Sequence, residues 1–173
     1  DQPAAPAAEI EIHPIELAGE LAKDKIARLA TALEEANVTY TVLTDPASLA
    51  WTFNIRGGDV PHTPLALGFA IIGREGLPFV FLDSAKLTIE TKAYLTQLAT
   101  VLEPAELEPL LAKLAAQGSH IGLDATLAAE RLRMIIDDNG GTVTDLADPA
   151  RLPRAIKNEA ELAGSRAAHR RAG

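Results

Sequence analysis

Apolar and polar positions switch between two periods along this chain, and the switches outline its elements. From about Glu20 to Ala36, Ile26, Leu29, Ala30, Leu33 and Ala36 fall at helical spacing. Lys23, Lys25, Arg28, Glu34 and Glu35 are assigned to the opposite, polar side. Asn37 stops this helix, and the β-branched stretch Val38–Leu43 predicts a strand. Asp45-Pro46 supplies an N-cap and a proline at the first helical position, so a short helix is expected over 47–53. The nearly continuous apolar run from Leu65 to Ile72 predicts a strand covered on both faces. Gly73-Arg-Glu-Gly76 turns it into a returning strand over 79–82, antiparallel to the first.

The second half repeats the alternation. Thr88 caps a helix over 89–98, with Ile89, Tyr94, Leu95 and Leu98 partly on one face. A short strand is expected at 100–102. Glu103-Pro104 opens a helix through Leu107, Leu110, Leu111 and Leu114, closed by Gly118. Strands at 120–123 and 142–146 flank a helix over 125–139 that ends at Gly140-Gly141. Short strands alternating with amphipathic helices define an α/β layer domain with a mixed β-sheet flanked by helices. Residues 1–14, rich in Pro and Ala, read as a linker, 15–150 as the domain, and 151–173 as the entry to a further domain. In that tail Asn158 and Glu161 form a capping-box pair. A linker at the start and a helix still running at Gly173 are both expected of a segment from a longer protein.

Composition sharpens this outline. At 173 residues and 47% apolar, the chain can bury a core, but only 4% is aromatic and all aromatics lie between Tyr40 and Tyr94. The net charge of −8 argues against nucleic-acid or anionic-membrane binding. That charge is uneven: residues 151–173 hold six Lys/Arg against two acids, leaving about −12 on the first 150. With no cysteine, disulfides, thiolate metal sites and a cysteine nucleophile are excluded, and a cytoplasmic location is expected. No apolar run reaches the roughly 20 residues of a membrane helix.

Candidate chemistry concentrates between residues 44 and 64. His13, His62, His120 and His169 are dispersed and lack metal-ligand spacing, so neither a metal site nor a catalytic set is expected within the chain. No nucleophile-elbow or phosphate-loop pattern occurs. Arg56, beside Gly57-Gly58, can pair with a carboxylate of a ligand, or with Asp59 or a partner subunit. Asn54 ends the apolar run before it. His62, between two prolines, is either a ligand contact or a loop histidine bonded to backbone. Trp51 is a cleft residue or core, and Asp59 a contact or a turn-former.

The same residues carry a resemblance. Asp45, Ser48-Leu49-Ala50-Trp51, Phe53-Asn54-Ile55-Arg56-Gly57-Gly58-Asp59-Val60-Pro61-His62 and Pro64 resemble the second domain of three-domain Xaa-Pro aminopeptidases (aminopeptidase P). Ala155-Ile156-Lys157-Asn158-Glu159 with Glu161, then Ala168-His169 and Arg171, resembles the junction where that domain enters the catalytic domain. Asp1-Gln2-Pro3 is similar to the linker that leaves the first domain, and Ala172 departs from the commoner Asp. The resemblance implies a creatinase/prolidase N-terminal-like fold, with 151–173 as junction and first catalytic-domain helix. It implies a parent that removes an N-terminal residue preceding proline. Two metal ions, usually Mn²⁺, would be held by two Asp, one His and two Glu beyond this chain. The implied partners are the first N-terminal domain, the C-terminal metallopeptidase domain, a second copy in a homodimer, and a peptide with proline second. Arg56, Asn54, His62, Trp51 and Asp59 would border the substrate cleft or the dimer seam. The fold is shared with prolidases, creatinase-like hydrolases and protein-binding modules of histone-chaperone type, which remain alternatives.

Overall fold

The computed structural model describes residues 3–4 and 7–173, so Asp1, Gln2, Ala5 and Pro6 of the Pro/Ala stretch lie outside it. Its strands are β1 (Glu11–Ile12), β2 (Tyr40–Leu43), β3 (Ile55–Arg56), β4 (Phe69–Gly73), β5 (Phe79–Phe81), β6 (Thr100–Leu102), β7 (His120–Leu123) and β8 (Thr142–Asp145). Its α-helices are α1 (Ile15–Ala18), α2 (Ala22–Glu35), α3 (Pro46–Phe53), α4 (Ile89–Leu98), α5 (Leu107–Ala116), α6 (Glu130–Asp138), α7 (Arg151–Ala155) and α8 (Glu159–Ala172).

Six strands form one mixed sheet in the order β6-β5-β4-β2-β7-β8. Only β4 runs against the others, antiparallel to both β2 and β5. The turn at 74–78 imposes the reversal between β4 and β5, because so short a connection cannot return a chain parallel. β4 faces alternate at period two. Ala70 and Ile72 join a core with Leu29, Leu33, Leu49, Phe53 and Leu95 under α2, α3 and α4. Ile71 joins the opposite core with Phe81, Leu111, Ile121 and Ile136 under α5 and α6. Helices on both faces explain the unbroken apolar run of this strand.

Local chemistry sets the element ends. Asp45 accepts the Ala47 N–H at 2.9 Å and starts α3; Thr88 accepts the Thr91 N–H at 3.1 Å and starts α4. Asn158 and Glu161 complete a reciprocal box at 2.9 Å in each direction. Asn37 takes φ 55, and Gly118 and Gly140 take φ 76 and 87 after α5 and α6.

Four local expectations are corrected. The stretch read as linker is knitted into the fold from Ile10: this residue is fully buried, its N–H reaches Lys86 O at 2.8 Å, and β1 pairs with β3. Lys25, assigned to the polar side of its helix, is 1% exposed. Ile89, assigned to an apolar face, is 92% exposed at the first turn of α4. The helix expected from Ala125 begins at Glu130, because Asp124 accepts both the N–H and the hydroxyl of Thr126 in an Asx turn.

α8 stands apart in its packing. None of its residues is buried, and its principal contact is with α1. Among the described residues, no helix is long and apolar enough to cross a membrane.

Candidate functional site

The end of α3 is built around an ammonium. Lys25 projects from α2 and donates to Trp51 O at 3.0 Å and to Asn54 Oδ1 at 2.6 Å. Its Nζ also lies 4.6 Å from the centroid of the Trp51 ring, with the Arg28 guanidinium at 5.7 Å. Asn54 closes the helix in the left-handed region, at φ 50. Its Nδ2 donates to Glu20 O at 2.8 Å, and its carbonyl accepts the His13 N–H at 2.7 Å. An asparagine tolerates that backbone better than most residues other than glycine. Asn54 thereby turns the chain from α3 into β3, which pairs with β1.

Arg56 is the half-buried end of this ribbon. One guanidinium nitrogen donates to Ile55 O at 2.8 Å and to Ala50 O at 3.3 Å. No carboxylate among the described residues forms an ion pair with it. Burial pulls its pKa below the ordinary arginine value, and Glu161 opposes that shift. Arg56, Lys157 and Glu161 stand where two cavities meet. The larger, about 570 Å³, is lined by His13, Leu17, Leu162 and Arg171 besides these three. The smaller, about 190 Å³, reaches Trp51, Leu65 and Arg154. Burial, then the charges of Arg56 and Lys25, hold the His13 imidazole below its ordinary pKa.

The structure brings Trp51, Asn54 and Arg56 together but sends the rest of the stretch elsewhere. Asp59 does not meet Arg56. Its Oδ2 pairs with Lys86 at 2.7 Å, both side chains almost wholly buried, and accepts the Leu67 N–H at 2.8 Å. The close approach of Gly57 to Ala66 explains the glycine: a Cβ would lie 2.7 Å from the Ala66 Cβ. His62 is exposed at φ 60, on the far tip of the loop. Sequence reasoning missed Lys25 as part of the site. The signal was its spacing, since position 25 stands four residues before Leu29 and eight before Leu33, on the buried stripe.

Other polar clusters have structural tasks. Ser48 donates to Asp148 Oδ2 at 2.5 Å, and Asp148 accepts the Ala150 N–H at 2.8 Å, fastening α3 to the start of α7. Burial raises the Asp148 pKa, while these hydrogen bonds work against it. Another cavity, about 620 Å³, opens at the carboxyl ends of β2 and β7, lined by Phe69, Leu107, Leu132 and the paired Glu108 and Arg131. Trp51, Asn54, Arg56, Asp59 and His62 are all absent from its lining. Among the described residues, no group of three or more His, Asp or Glu is placed to hold a metal ion.

The architecture is that of a mixed α/β domain with a lone reversed strand and a polar rim at α3, β3 and α8. Residues 1–161 match the creatinase/prolidase N-terminal domain, and this chain belongs to that family. The probable Xaa-Pro aminopeptidase P of Penicillium rubens is 32% identical over 180 residues, covering 100% of this chain and 29% of that protein. The corresponding protein of Aspergillus niger is 32% identical over 182 residues, with 100% and 29% covered. The chain thus spans less than a third of the length of these curated relatives. Among solved structures, X-prolyl aminopeptidase from Caenorhabditis elegans, described as a cytosolic enzyme with a di-nuclear active site, superposes with a TM-score of 0.87 at 22% identity. The match covers 98% of this chain and 28% of that one. The Xaa-Pro dipeptidase from Bacillus anthracis has the same fold, with a TM-score of 0.59 at 16% identity over 82% of this chain and 38% of its own.

Proposed function

We propose that this chain is the second domain of a Xaa-Pro aminopeptidase and that it serves catalysis without performing it. One observation carries this reading: 32% identity with fungal Xaa-Pro aminopeptidase P over the whole of this chain. The prolidase alternative draws on fold similarity alone. In this reading residues 10–150 form the domain and α8 leads into a metallopeptidase domain. That domain would supply the two metal ions, Mn²⁺ by expectation, whose chemistry when bound would be water activation and polarisation of the scissile carbonyl. The di-nuclear site of the nematode enzyme supports the metal count, and its cytosolic description supports a cytoplasmic location.

The domain contributes one wall of the substrate cleft or part of a homodimer seam, through Trp51, Asn54 and Arg56. Asp59 acts on this wall only through the backbone it fastens, and His62 stands outside it. The test is Arg56→Ala in the full-length enzyme, assayed with Mn²⁺ on peptides that carry proline second. A raised KM or a loss of dimer mass is expected. Unchanged kinetics together with unchanged mass would remove the wall from the mechanism. The 173-residue chain alone is expected to give no turnover, and robust hydrolysis by it would overturn the division of labour.

A further inference from the structure

The cavity between α1, the β1–β3 ribbon and α8 holds cations that the protein leaves unmatched. Of the described lysines and arginines, five are buried or half-buried: Lys25, Arg56, Lys86, Arg133 and Arg154. Three of them meet a carboxylate at 2.7 Å: Lys86 with Asp59, Arg133 with Asp145, and Arg154 with Asp45. Of the two without one, Arg56 lines this cavity, whereas Lys25 lies outside the lining and is held by Trp51 O and Asn54 Oδ1. Lys157, Arg171 and His13 add to the same lining, and Glu161 is its one acid among the described residues. That acid accepts the Asn158 N–H at 2.9 Å, forms no ion pair with Arg56, and only partly offsets the cost of burying its guanidinium. Desolvating a cation without a counter-charge is costly, and an anion entering the cavity would recover that cost. On a chain of net charge −8, this is a local inversion of sign.

We propose that this cavity binds the C-terminal carboxylate of a peptide, with Arg56 as the ion-pairing residue. The inference rests on the reading of the chain as a peptidase domain for the source of the peptide. Arg56 has a planar fork that suits a carboxylate. Lys157 stands beside it as a second cation, and Glu161 disfavours a doubly charged phosphate at the same point. The N-terminal amides of α8 add no further anion site, since Asn158 and Glu161 cap them. Leu17, Leu162 and Ala167 offer apolar contact to the residues preceding the terminus. A volume of about 570 Å³ is ample for two or three residues.

Binding is measured on the 173-residue chain by calorimetry and by the NMR titration of the His13 imidazole. The probes are the tripeptide Ala-Pro-Ala as the free acid, its C-terminal amide, and an amidated peptide with an internal glutamate. The free acid is expected to bind and to move the His13 midpoint upward, because an anion nearby favours the imidazolium. The amide should bind roughly tenfold more weakly, the loss expected for one charged hydrogen-bonding contact. Arg56→Gln should erase the difference between acid and amide. Arg56→Lys should keep part of it, and the exposed Lys113→Gln all of it. Circular dichroism and Trp51 fluorescence check that each variant is folded.

Equal binding of acid and amide would overturn the proposal. So would equal binding of the internal-glutamate peptide, which would assign the cavity to an acidic side chain of another domain. Absence of saturable binding by any probe would overturn it as well. No bond is cleaved in this assay, so its failure leaves the aminopeptidase reading standing.

Discussion

Lys25→Met tests whether a buried ammonium without a carboxylate governs the alkaline stability of this domain. Burial, opposed by Glu161 and Glu20, lowers the Lys25 pKa from 10.5 to about 8, and Arg56 and Arg28 add to the lowering. The unfolded chain keeps this proton up to the ordinary lysine value. Between about pH 8 and 10.5 the unfolded state therefore binds more protons, and the free energy of unfolding rises with pH. Below that window both states are charged and the contribution is flat. The shift sets an upper bound of roughly 3 kcal/mol on the rise. Tyr94, whose pKa burial raises, acts oppositely: its stabilising contribution is lost as pH climbs above the ordinary tyrosine value. It is present in both proteins and cancels in their difference. Methionine also forfeits the bonds to Trp51 O and Asn54 Oδ1, but that loss does not depend on pH. Urea unfolding followed by circular dichroism, at steps from neutral pH to about pH 10, gives the difference curve. Wild type should gain on the variant through the upper half of that range. A flat or falling difference would show that Lys25 titrates like an exposed lysine, and the account of its burial would fail.

Two further perturbations test the frame around it. Lys86→Met leaves the buried Asp59 carboxylate unpaired and should cost about 3–5 kcal/mol; adding Asp59→Asn should recover much of this, whereas additive losses in urea unfolding would deny the coupling. Asn54→Ala combines a left-handed backbone with lost bonds to Lys25 and Glu20 O, for about 2–4 kcal/mol. Asn54→Gly should regain about 1 kcal/mol of that by relieving the backbone alone. An alanine variant as stable as the glycine one would rule out backbone strain as a cause of the loss.

The features legible in the sequence are those whose chemistry is local. Asp45-Pro46, Thr88 and the Asn158–Glu161 pair act within three residues of themselves, and each starts the helix it announces. The turn at 73–76 likewise fixes the direction of β4 against β5 without help from the rest of the fold. What depends on distant partners was not legible. Lys25 looks polar as a residue type, and only the carbonyl of Trp51 and the amide of Asn54 make its burial tolerable. Ile10 looks like linker until Lys86 O and Leu87 arrive beside it. Of the candidate site residues, Arg56 and Asp59 stand three positions apart in the chain, but Lys86 captures Asp59 from 27 positions away. Of the dense stretch 44–64, Trp51 and Asn54 meet at Lys25 with Arg56 two positions on, whereas Asp59 is drawn to Lys86 and His62 is exposed.

The shallow seating of α8 gives the cavity two walls of unequal permanence. The β1–β3 wall is anchored to buried groups and can open only with the domain core. The α8 wall has no buried residue and depends on its cap and on a light contact with α1. Such an element opens at a free energy well below that of global unfolding. Occupancy of the cavity and the helicity of α8 are then one linked equilibrium: whatever fills the space also stiffens the helix that closes one side of it.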